Sequence, residues 1–225
     1  MNIEISRRRF LELSSALGGI VACGELYPLL AQEKRPLTAE QMQGPFYPML
    51  KPLDRDADLT HLRGRRGVAQ GQIIHLMGRV VNLQGKPLEG VKLEIWQANV
   101  HGRYAHINDT NKAPLDPNFQ GYGVQVTDAQ GRFRFKTIKP SDYPTGVEDW
   151  SRPPHIHYYA TGRHEALTTQ MYFPNEPLNA KDRLLQSAGA AQSTLIAKVQ
   201  TAGPAVKDME PNSLIVTWDI VLTRG

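Results

Sequence analysis

The chain has 225 residues, of which 40% are hydrophobic, and this length suits one all-β domain with appendages and a sizeable core. Its formal net charge is only +4 and no block of like charges stands out, which argues against a nucleic-acid-binding protein. The single cysteine excludes an intramolecular disulfide framework and a multi-cysteine metal site, and no apolar run reaches the roughly 20 residues of a membrane span.

Residues 1–22 have the features of an export signal. An arginine cluster precedes a weakly apolar stretch that contains Gly and Ser. The twin-arginine pattern S-R-R-x-F-L is matched by Ser6, Arg7, Arg8, Phe10 and Leu11. We therefore expect export by the twin-arginine route to a periplasmic or other extracytoplasmic location, and the alternative is a basic N-terminal tail. This route carries folded proteins.

The lone cysteine follows this signal directly. The stretch "IVAC" resembles a bacterial lipoprotein box, in which Cys23 would be lipidated and become the mature N-terminus. A lipid would anchor the protein to a membrane without spanning it. The alternative is ordinary cleavage near Ala31, which would discard Cys23. Residues 23–43 are polar and aperiodic, and we interpret them as a tether that ends where "GPFYP" begins the domain at residue 44.

Strand signals recur through the predicted domain, residues 44–225. Short runs rich in Val, Ile, Tyr and Phe alternate with turns rich in Gly, Pro, Asn and Asp, which is typical of an all-β sandwich. In chain order the runs are "IIHLMGRVV", "VKLEIWQA", "GYGVQVTD", "RFRFKTI", "HIHYYA", "LTTQMYF" and "SLIVTWDIVL". One short helix is predicted near residues 190–200, where Leu195, Ile196 and Val199 share one face.

Two long loops interrupt the strand pattern, at about residues 98–120 and 139–153. Loops longer than about 12 residues in a compact domain are usually functional. Each loop holds a tyrosine in a Gly- or Pro-containing context, Tyr104 in the first and Tyr143 in the second. These loops are therefore the predicted place for the active site.

The stretch "RPPHIHYYA" directly follows the second loop and places two histidines one residue apart. Side chains alternate faces along a strand, so His155 and His157 project the same way with α-carbons roughly 6.5 Å apart. Two imidazoles at this spacing can bind one metal ion, and the alternative is a pair of half-buried histidines hydrogen-bonded to neighbours. Two histidines do not complete a metal site, so further ligands are required.

Several extended motifs follow one another in a recognisable order. They are "LEIWQANVHGRYAHINDTNKAPLDPNFQGYG", "TDAQGRFRFKTIKPSDYP", "RPPHIH", "TTQMYF" and the terminal "DIVL". Over residues 44–224 the chain resembles the intradiol ring-cleavage dioxygenases, most closely the protocatechuate 3,4-dioxygenase branch. The resemblance implies a mononuclear, non-haem Fe(III) held by Tyr104, Tyr143, His155 and His157. The implied substrates are O2 and a catechol-type aromatic, whose ring opens between its two hydroxylated carbons to a cis,cis-muconate-type diacid.

The resemblance also implies roles for other residues. Tyr143 would leave the iron when substrate binds and take a proton, and Arg152 would stabilise the electron-rich ring. Gln170 in "TTQMYF" would lie near the reacting ring, with a cross-strand hydrogen bond as the alternative. Gly44 and Pro45 would line the pocket. Thr145 stands where the protocatechuate branch typically has tryptophan, so the substrate could be protocatechuate or a related catechol.

Two alternatives to this function remain open at this point. An Fe(II) site of two histidines and one carboxylate would draw on Asp142, Glu148 or Asp149. A transthyretin-like sandwich could bind a small ligand without chemistry, because fold alone does not decide function. The branch usually pairs an iron-binding chain with a related chain that lacks the ligands. Since this chain has the full set, we expect a homo-oligomer or a monomer.

Overall fold

The structure, a computed structural model, describes residues 34–148, 150–203 and 208–224. The predicted export signal, Cys23 and most of the predicted tether lie outside these residues. Strands make up most of the regular structure in the described part of the chain. Their bounds are β1 Ile73–Asn82, β2 Lys92–Trp96, β3 Tyr122–Val126, β4 Arg132–Ile138, β5 Tyr143–Pro144, β6 Ser151–Arg152, β7 His155–Thr161, β8 Ala166–Tyr172, β9 Lys198–Thr201, β10 Leu214–Thr217 and β11 Ile220–Leu222.

The first sheet is built around β1. Strand β4 pairs antiparallel with one edge of β1, while β10 and β11 pair parallel with the other, and β9 pairs antiparallel with β10. The register from Ile74↔Leu214 to Val80↔Ile220 is continuous, so β10 and β11 act as one strand line with a break at residues 218–219. Gly78 faces that break, and a β-carbon there would lie 1.8 Å from the Trp218 carbonyl oxygen, which requires glycine.

The second sheet has the strand order β3-β2-β7-β8, and all its pairings are antiparallel. Its residues alternate between two faces, as strand geometry requires. One face is apolar and packs against the first sheet to form the sandwich core, where Ile95, Ile156 and Met171 are fully buried. The opposite, outer face bears Trp96 and both histidines of "HIH", and loops cover it. The predicted all-β sandwich with long loops is therefore confirmed.

The predicted helix over residues 190–200 is wrong in position. The one α-helix of the described residues, α1, spans Arg183–Ser187, and the predicted range holds a 3-10 helix, Gly189–Thr194, followed by strand β9. The competing force is sheet pairing, because Val199 lies opposite Val216 in β10 and extends the first sheet. Leu195 is buried instead in a small cluster with Leu185 of α1. Among the described residues, no helix has the length and apolar character needed to cross a membrane.

Candidate active site

The two histidines occupy the outer face of the second sheet. His157 of β7 lies opposite Trp96 of β2 on one side and Gln170 of β8 on the other, so these three form one row across the sheet. His155 lies opposite Tyr172, one step along the same face. The Trp96 indole stacks on the His157 ring with centroids 4.8 Å apart, which fixes the plane of that imidazole. Both histidines are almost fully buried.

The two long loops bring Tyr104 and Tyr143 over the histidines. The four rings form a closed cycle: Tyr104 to His157 at 6.1 Å, His157 to His155 at 4.9 Å, His155 to Tyr143 at 5.9 Å and Tyr143 to Tyr104 at 5.6 Å between centroids. The side chain of Asp109 supports the first loop by accepting a hydrogen bond from the Tyr104 backbone N–H at 2.6 Å. Tyr104 and Tyr143, which are 39 positions apart in sequence, thus converge with the histidine pair.

The two histidines of this cycle turn the same ring nitrogen toward each other. The Pro153 carbonyl accepts a hydrogen bond from His155 Nδ1 at 2.7 Å, so the lone pair of that ring resides on Nε2. The Nε2 atoms of His155 and His157 face each other at 3.2 Å. Burial and the nearby Arg152 charge hold the pKa of both histidines well below the usual range, so the rings are neutral. The Tyr104 hydroxyl is buried without a hydrogen-bond partner.

The donor set suits a hard cation that accepts phenolate oxygen. Burial raises the pKa of the Tyr104 phenol well above 10, so its ionised form needs a strong positive charge beside it. Within residues 34–148, 150–203 and 208–224, no group of three or more His, Cys, Asp or Glu side chains is arranged to hold a metal. Asp142 and Glu148 are exposed, and Asp149 lies outside the described residues. In this part of the chain, a metal centre at the two histidines therefore depends on the tyrosine oxygens.

Arg152 lies beside the ring cycle and is only 3% exposed. Its Nε donates to Asp182 at 2.8 Å, and its NH2 group donates to Gln170 Oε1 at 2.7 Å and to the Tyr172 hydroxyl at 2.5 Å. Its NH1 group lies 3.1 Å from His155 Nε2. The sequence also allows Arg152 to pair with Glu148 or Asp149; its partner among the described residues is Asp182, and Asp149 lies outside them. The guanidinium is therefore held rigidly, with its charge directed at the site.

Comparisons with known proteins match this arrangement to one family. The Dioxygenase family model matches residues 42–224. The chain is 47% identical over 181 residues to the protocatechuate 3,4-dioxygenase beta chain of Burkholderia cepacia, covering 78% of this chain and 74% of that protein. The chain belongs to the intradiol ring-cleavage dioxygenases. This family is an enzyme family, and the binding-module alternative has no support from these matches.

Two further matches show how much of this intradiol dioxygenase and of its relatives can be aligned. The dioxygenase domain of a carbohydrate-binding fusion protein from Streptomyces sp. SirexAA-E superposes with a TM-score of 0.62 at 31% identity, covering 83% of this chain and 98% of that one. Catechol 1,2-dioxygenase of Acinetobacter baylyi is 30% identical over 173 residues, which cover 68% of this chain. The match spans only 53% of that relative, about half its length.

The remaining sequence-predicted residues of this intradiol dioxygenase lie at different distances from the ring cycle. Gly44 abuts the site, since a β-carbon there would lie 3.3 Å from His157 Cε1. Pro45 is exposed. Gln170 is fully buried and donates from Nε2 to the Met42 carbonyl at 2.8 Å. Its amide therefore connects Arg152 to the residues just before "GPFYP". Thr145 directs its hydroxyl into the β5–β6 turn, where it donates to the Trp150 carbonyl at 2.8 Å.

Three residues at the site were not found from the sequence. Asp182 is fully buried against Arg152 although 30 positions separate them, and no local pattern links them. Tyr172 was not predicted either, because an aromatic residue in a strand such as "TTQMYF" is ordinarily a core residue. Phe46 stacks on Tyr104 with centroids 4.5 Å apart. Only Phe46 carried a usable signal, because it lies within "GPFYP", whose glycine and proline were already predicted to line the pocket.

Proposed function

We propose that the chain is a mononuclear, non-haem Fe(III) dioxygenase. It would cleave a catechol-type ring between its two hydroxylated carbons with O2 and yield a cis,cis-muconate-type diacid. The observation that carries the proposal is the convergence of two phenols and two neutral imidazoles around one buried point. A ferric ion held there would supply the Lewis acidity that makes a catecholate reactive toward O2.

Tyr104, Tyr143, His155 and His157 are the proposed iron ligands. Two phenolates and two imidazoles favour ferric over ferrous iron, because phenolate is a hard anionic donor. The unpartnered hydroxyl of Tyr104 supports this assignment, since a buried polar atom without a partner is costly unless something binds it. The Nε2 atoms of His155 and His157 lie 3.2 Å apart, close enough for both to bind one ion.

Tyr143 is the proposed acceptor of a substrate hydroxyl proton. Burial raises the pKa of its phenol, but the Arg152 guanidinium opposes that rise through its charge and a hydrogen bond. Arg152 would also stabilise negative charge on the substrate ring, and in a buried site such a charge acts more strongly than in water. Gln170 holds Arg152 through its Oε1 atom and thereby keeps the guanidinium in place.

The proposed substrate is protocatechuate or a related catechol. The 47% identity to a protocatechuate 3,4-dioxygenase chain supports this class. The chain also matches catechol and hydroxyquinol 1,2-dioxygenases, so catechol and hydroxyquinol should be assayed beside protocatechuate. Gly44, Pro45 and Thr145 are the proposed pocket residues. Because this chain has the full ligand set, we further propose that it works as a monomer or homo-oligomer, which light scattering on the purified active protein would test.

Iron reconstitution followed by absorption spectroscopy tests the metal centre. Tyrosinate bound to ferric iron absorbs visible light, so the protein should be reddish and should change colour when a catechol is added without O2. His155→Ala and His157→Ala should bind iron loosely, because each removes one of four protein ligands. Tyr143→Phe should keep more iron than Tyr104→Phe. A protein that binds no ferric iron, or a visible band that survives in a Tyr104→Phe/Tyr143→Phe variant, would overturn the assignment.

We also propose twin-arginine export followed by lipidation at Cys23. The support is the sequence pattern around Arg7 and Arg8 and the lipoprotein-like "IVAC". Replacing both arginines by lysine should trap the protein in the cytoplasm, whereas unchanged export would disprove the route. Labelled palmitate should appear on the wild type and be absent from Cys23→Ala. A mature N-terminus beyond residue 23 without label would disprove the anchor.

A further inference from the structure

A segment of the chain crosses the outer face of the second sheet, directly over the candidate site. We name residues 43–54 the strap. On one side of it, the Gln41 backbone N–H donates to the Thr168 carbonyl of β8 at 2.9 Å. On the other side, the Arg55 carbonyl accepts from the Val124 N–H of β3, also at 2.9 Å. Strands β8 and β3 are the two edges of the sheet, so the strap passes over both β7 and β2.

The anchored ends alone do not fix the path of the strap. Four neighbouring strands place their outermost members about 14 Å apart, at ~4.8 Å per spacing. The 14 Cα–Cα steps from Gln41 to Arg55 can extend to about 45 Å. The strap therefore has far more length than the crossing needs. Its position must come from contacts made along the way.

Glu94 of β2 provides those contacts. This carboxylate is only 3% exposed, and its Oε2 accepts hydrogen bonds from the Tyr47 hydroxyl at 2.9 Å and from Lys51 Nζ at 2.8 Å. The Lys51 ammonium lies 3.5 Å from the Tyr47 ring centroid and 4.7 Å from that of Tyr122, and the Tyr122 hydroxyl also donates to Glu94. The half-buried Lys51 ammonium thus lies against two aromatic rings and a buried carboxylate, a favourable setting for a cation.

The same cluster is continuous with the ring cycle of the candidate site. Glu94 and Trp96 share the outer face of β2, and the Tyr47 ring meets the Trp96 indole edge-on at 4.9 Å between centroids. Trp96 in turn stacks on His157. Phe46, the residue directly before Tyr47, stacks on Tyr104 and meets Tyr143 edge-on at 5.8 Å. The strap therefore forms a wall over the predicted ligands.

We propose that Lys51 and Glu94 are positioning residues that fasten the strap over the site. Fastening keeps Phe46 against the two tyrosines and Gly44 beside His157, and so sets the shape of the pocket that receives the aromatic substrate. The part of this proposal that concerns substrate rests on the proposed function. The fastening itself concerns only the folded chain and is measured without iron or substrate.

Lys92 provides a matched control for the test. Its Nζ donates to Glu94 Oε1 at 2.6 Å, so Lys51→Met and Lys92→Met each remove one positive charge and one bond to the same carboxylate. Only Lys51 belongs to the strap, whereas Lys92 lies on β2 itself. Hydrogen exchange of the Gln41 and Val124 amides, whose hydrogen bonds anchor the two ends of the strap, should be about tenfold faster in Lys51→Met, and within about twofold of wild type in Lys92→Met. Glu94→Gln should resemble Lys51→Met.

Turnover of a catechol panel supplies the second readout. Lys51→Met should raise KM several-fold with kcat within about twofold, because a pocket wall is loosened while the reacting groups stay in place. Equal strap exchange in the two lysine variants would overturn the fastening proposal. Faster exchange with an unchanged KM would mean that Lys51 fastens the strap but does not shape the substrate pocket, and would overturn the pocket role. If the wild type turns over no catechol, the proposed function fails, while the exchange result still decides the fastening.

Discussion

Tyr143 and Arg152 lie directly opposite each other in the short antiparallel ladder of β5 and β6. A predicted iron ligand and the arginine predicted to stabilise the substrate ring therefore lie on one two-stranded unit within the second long loop. The relationship is electrostatic as well as geometric, because the Arg152 charge opposes the rise in the Tyr143 pKa that burial produces. Asp182 completes the unit from α1, whose first turn it caps by accepting from the Leu185 N–H at 2.7 Å.

Because Arg152 is paired with Asp182, replacing the arginine alone would lower stability as well as turnover. Arg152→Met leaves a fully buried carboxylate unpaired and should cost about 3–5 kcal/mol of folding free energy in urea unfolding. Adding Asp182→Asn should recover most of that stability, since asparagine keeps the helix cap without the charge. Turnover should remain low in both variants, because the positive charge is absent from each.

A neighbouring arginine gives the control for that series. Arg183 is exposed and lies over the Trp150 ring, 5.0 Å from its centroid, so Arg183→Met removes one charge from the same helix start without touching Asp182. It should change stability and turnover little. If the Arg152→Met/Asp182→Asn variant regained turnover together with stability, Arg152 would serve the fold alone.

Gly102 and Asp142 show how tightly the two tyrosine loops meet. A β-carbon on Gly102 would lie 2.1 Å from the Asp142 carbonyl oxygen, and each residue is within two positions of a predicted ligand. Gly102→Ala should therefore separate the loops and weaken iron binding by about tenfold or more, in the range seen when groups that orient metal ligands are altered. Equilibrium titration with ferric citrate, followed in the visible band, measures this.

Gly146 is the matched glycine for this prediction. Its φ of +79° resembles the +70° of Gly102, but an added β-carbon there would meet nothing within 4 Å. Gly146→Ala should thus cost about 1 kcal/mol of stability from backbone conformation and leave iron affinity unchanged. Equal iron affinities in the two alanine variants would show that the contact between the loops does not shape the site.

The sequence was most informative where one local pattern decides the outcome. Alternation along a strand predicts that His155 and His157 share a face, and they do. Loop length and the motifs point to Tyr104 and Tyr143, and the four rings converge. By contrast, the apolar spacing around Val199 predicts a helix, but pairing with β10 outweighs that local preference.

Long-range electrostatics lay beyond sequence reasoning. Arg152 has acidic neighbours in sequence, but its partner is Asp182, which reaches it only after α1 folds onto the second sheet. Glu94 likewise has partners that are distant in sequence. In "VKLEIW" it occupies the outward position of an alternating strand and looks solvent-exposed, yet the strap covers it. A pattern along one strand cannot reveal what other segments place over it.

Glu94 should also give the strap a measurable dependence on pH. Burial alone would raise the pKa of its carboxyl, but hydrogen bonds from two lysines and two tyrosines lower it from the ordinary 4.5 to about 2. A depressed pKa means that the stabilisation is fully present above pH 4.5 and is lost as pH falls from 4.5 toward 2. The stability difference between wild type and Glu94→Gln should be constant from pH 7 to 5. Below pH 4.5 it should shrink by up to ~1.4 kcal/mol per pH unit. A difference that stays constant down to pH 3 would contradict this account.

At Thr145 the sequence predicts a departure from the protocatechuate branch, and two roles for this residue can be tested separately. Its hydroxyl donates to the Trp150 carbonyl and accepts from the Val147 N–H at 3.2 Å, so it stabilises the β5–β6 turn. Thr145→Val keeps the shape but loses both bonds, and should cost about 1 kcal/mol in stability without changing the ranking of protocatechuate, catechol and hydroxyquinol by kcat/KM. Thr145→Ser, which keeps the hydroxyl, is the control and should match the wild type in both measurements.

Thr145→Trp tests the second role, that of a pocket wall. An indole at the residue after Pro144, two positions from Tyr143, adds a large apolar surface beside the predicted proton acceptor. We expect it to change the kcat/KM ranking of the three substrates, because added bulk in a pocket discriminates between rings by the substituents they carry. Competition assays with pairs of substrates give the ratios directly. If Thr145→Trp folds, binds iron and keeps the wild-type ranking, position 145 does not select the substrate, and the selectivity of this site must come from elsewhere, with the strap residues Gly44 and Phe46 the next to test.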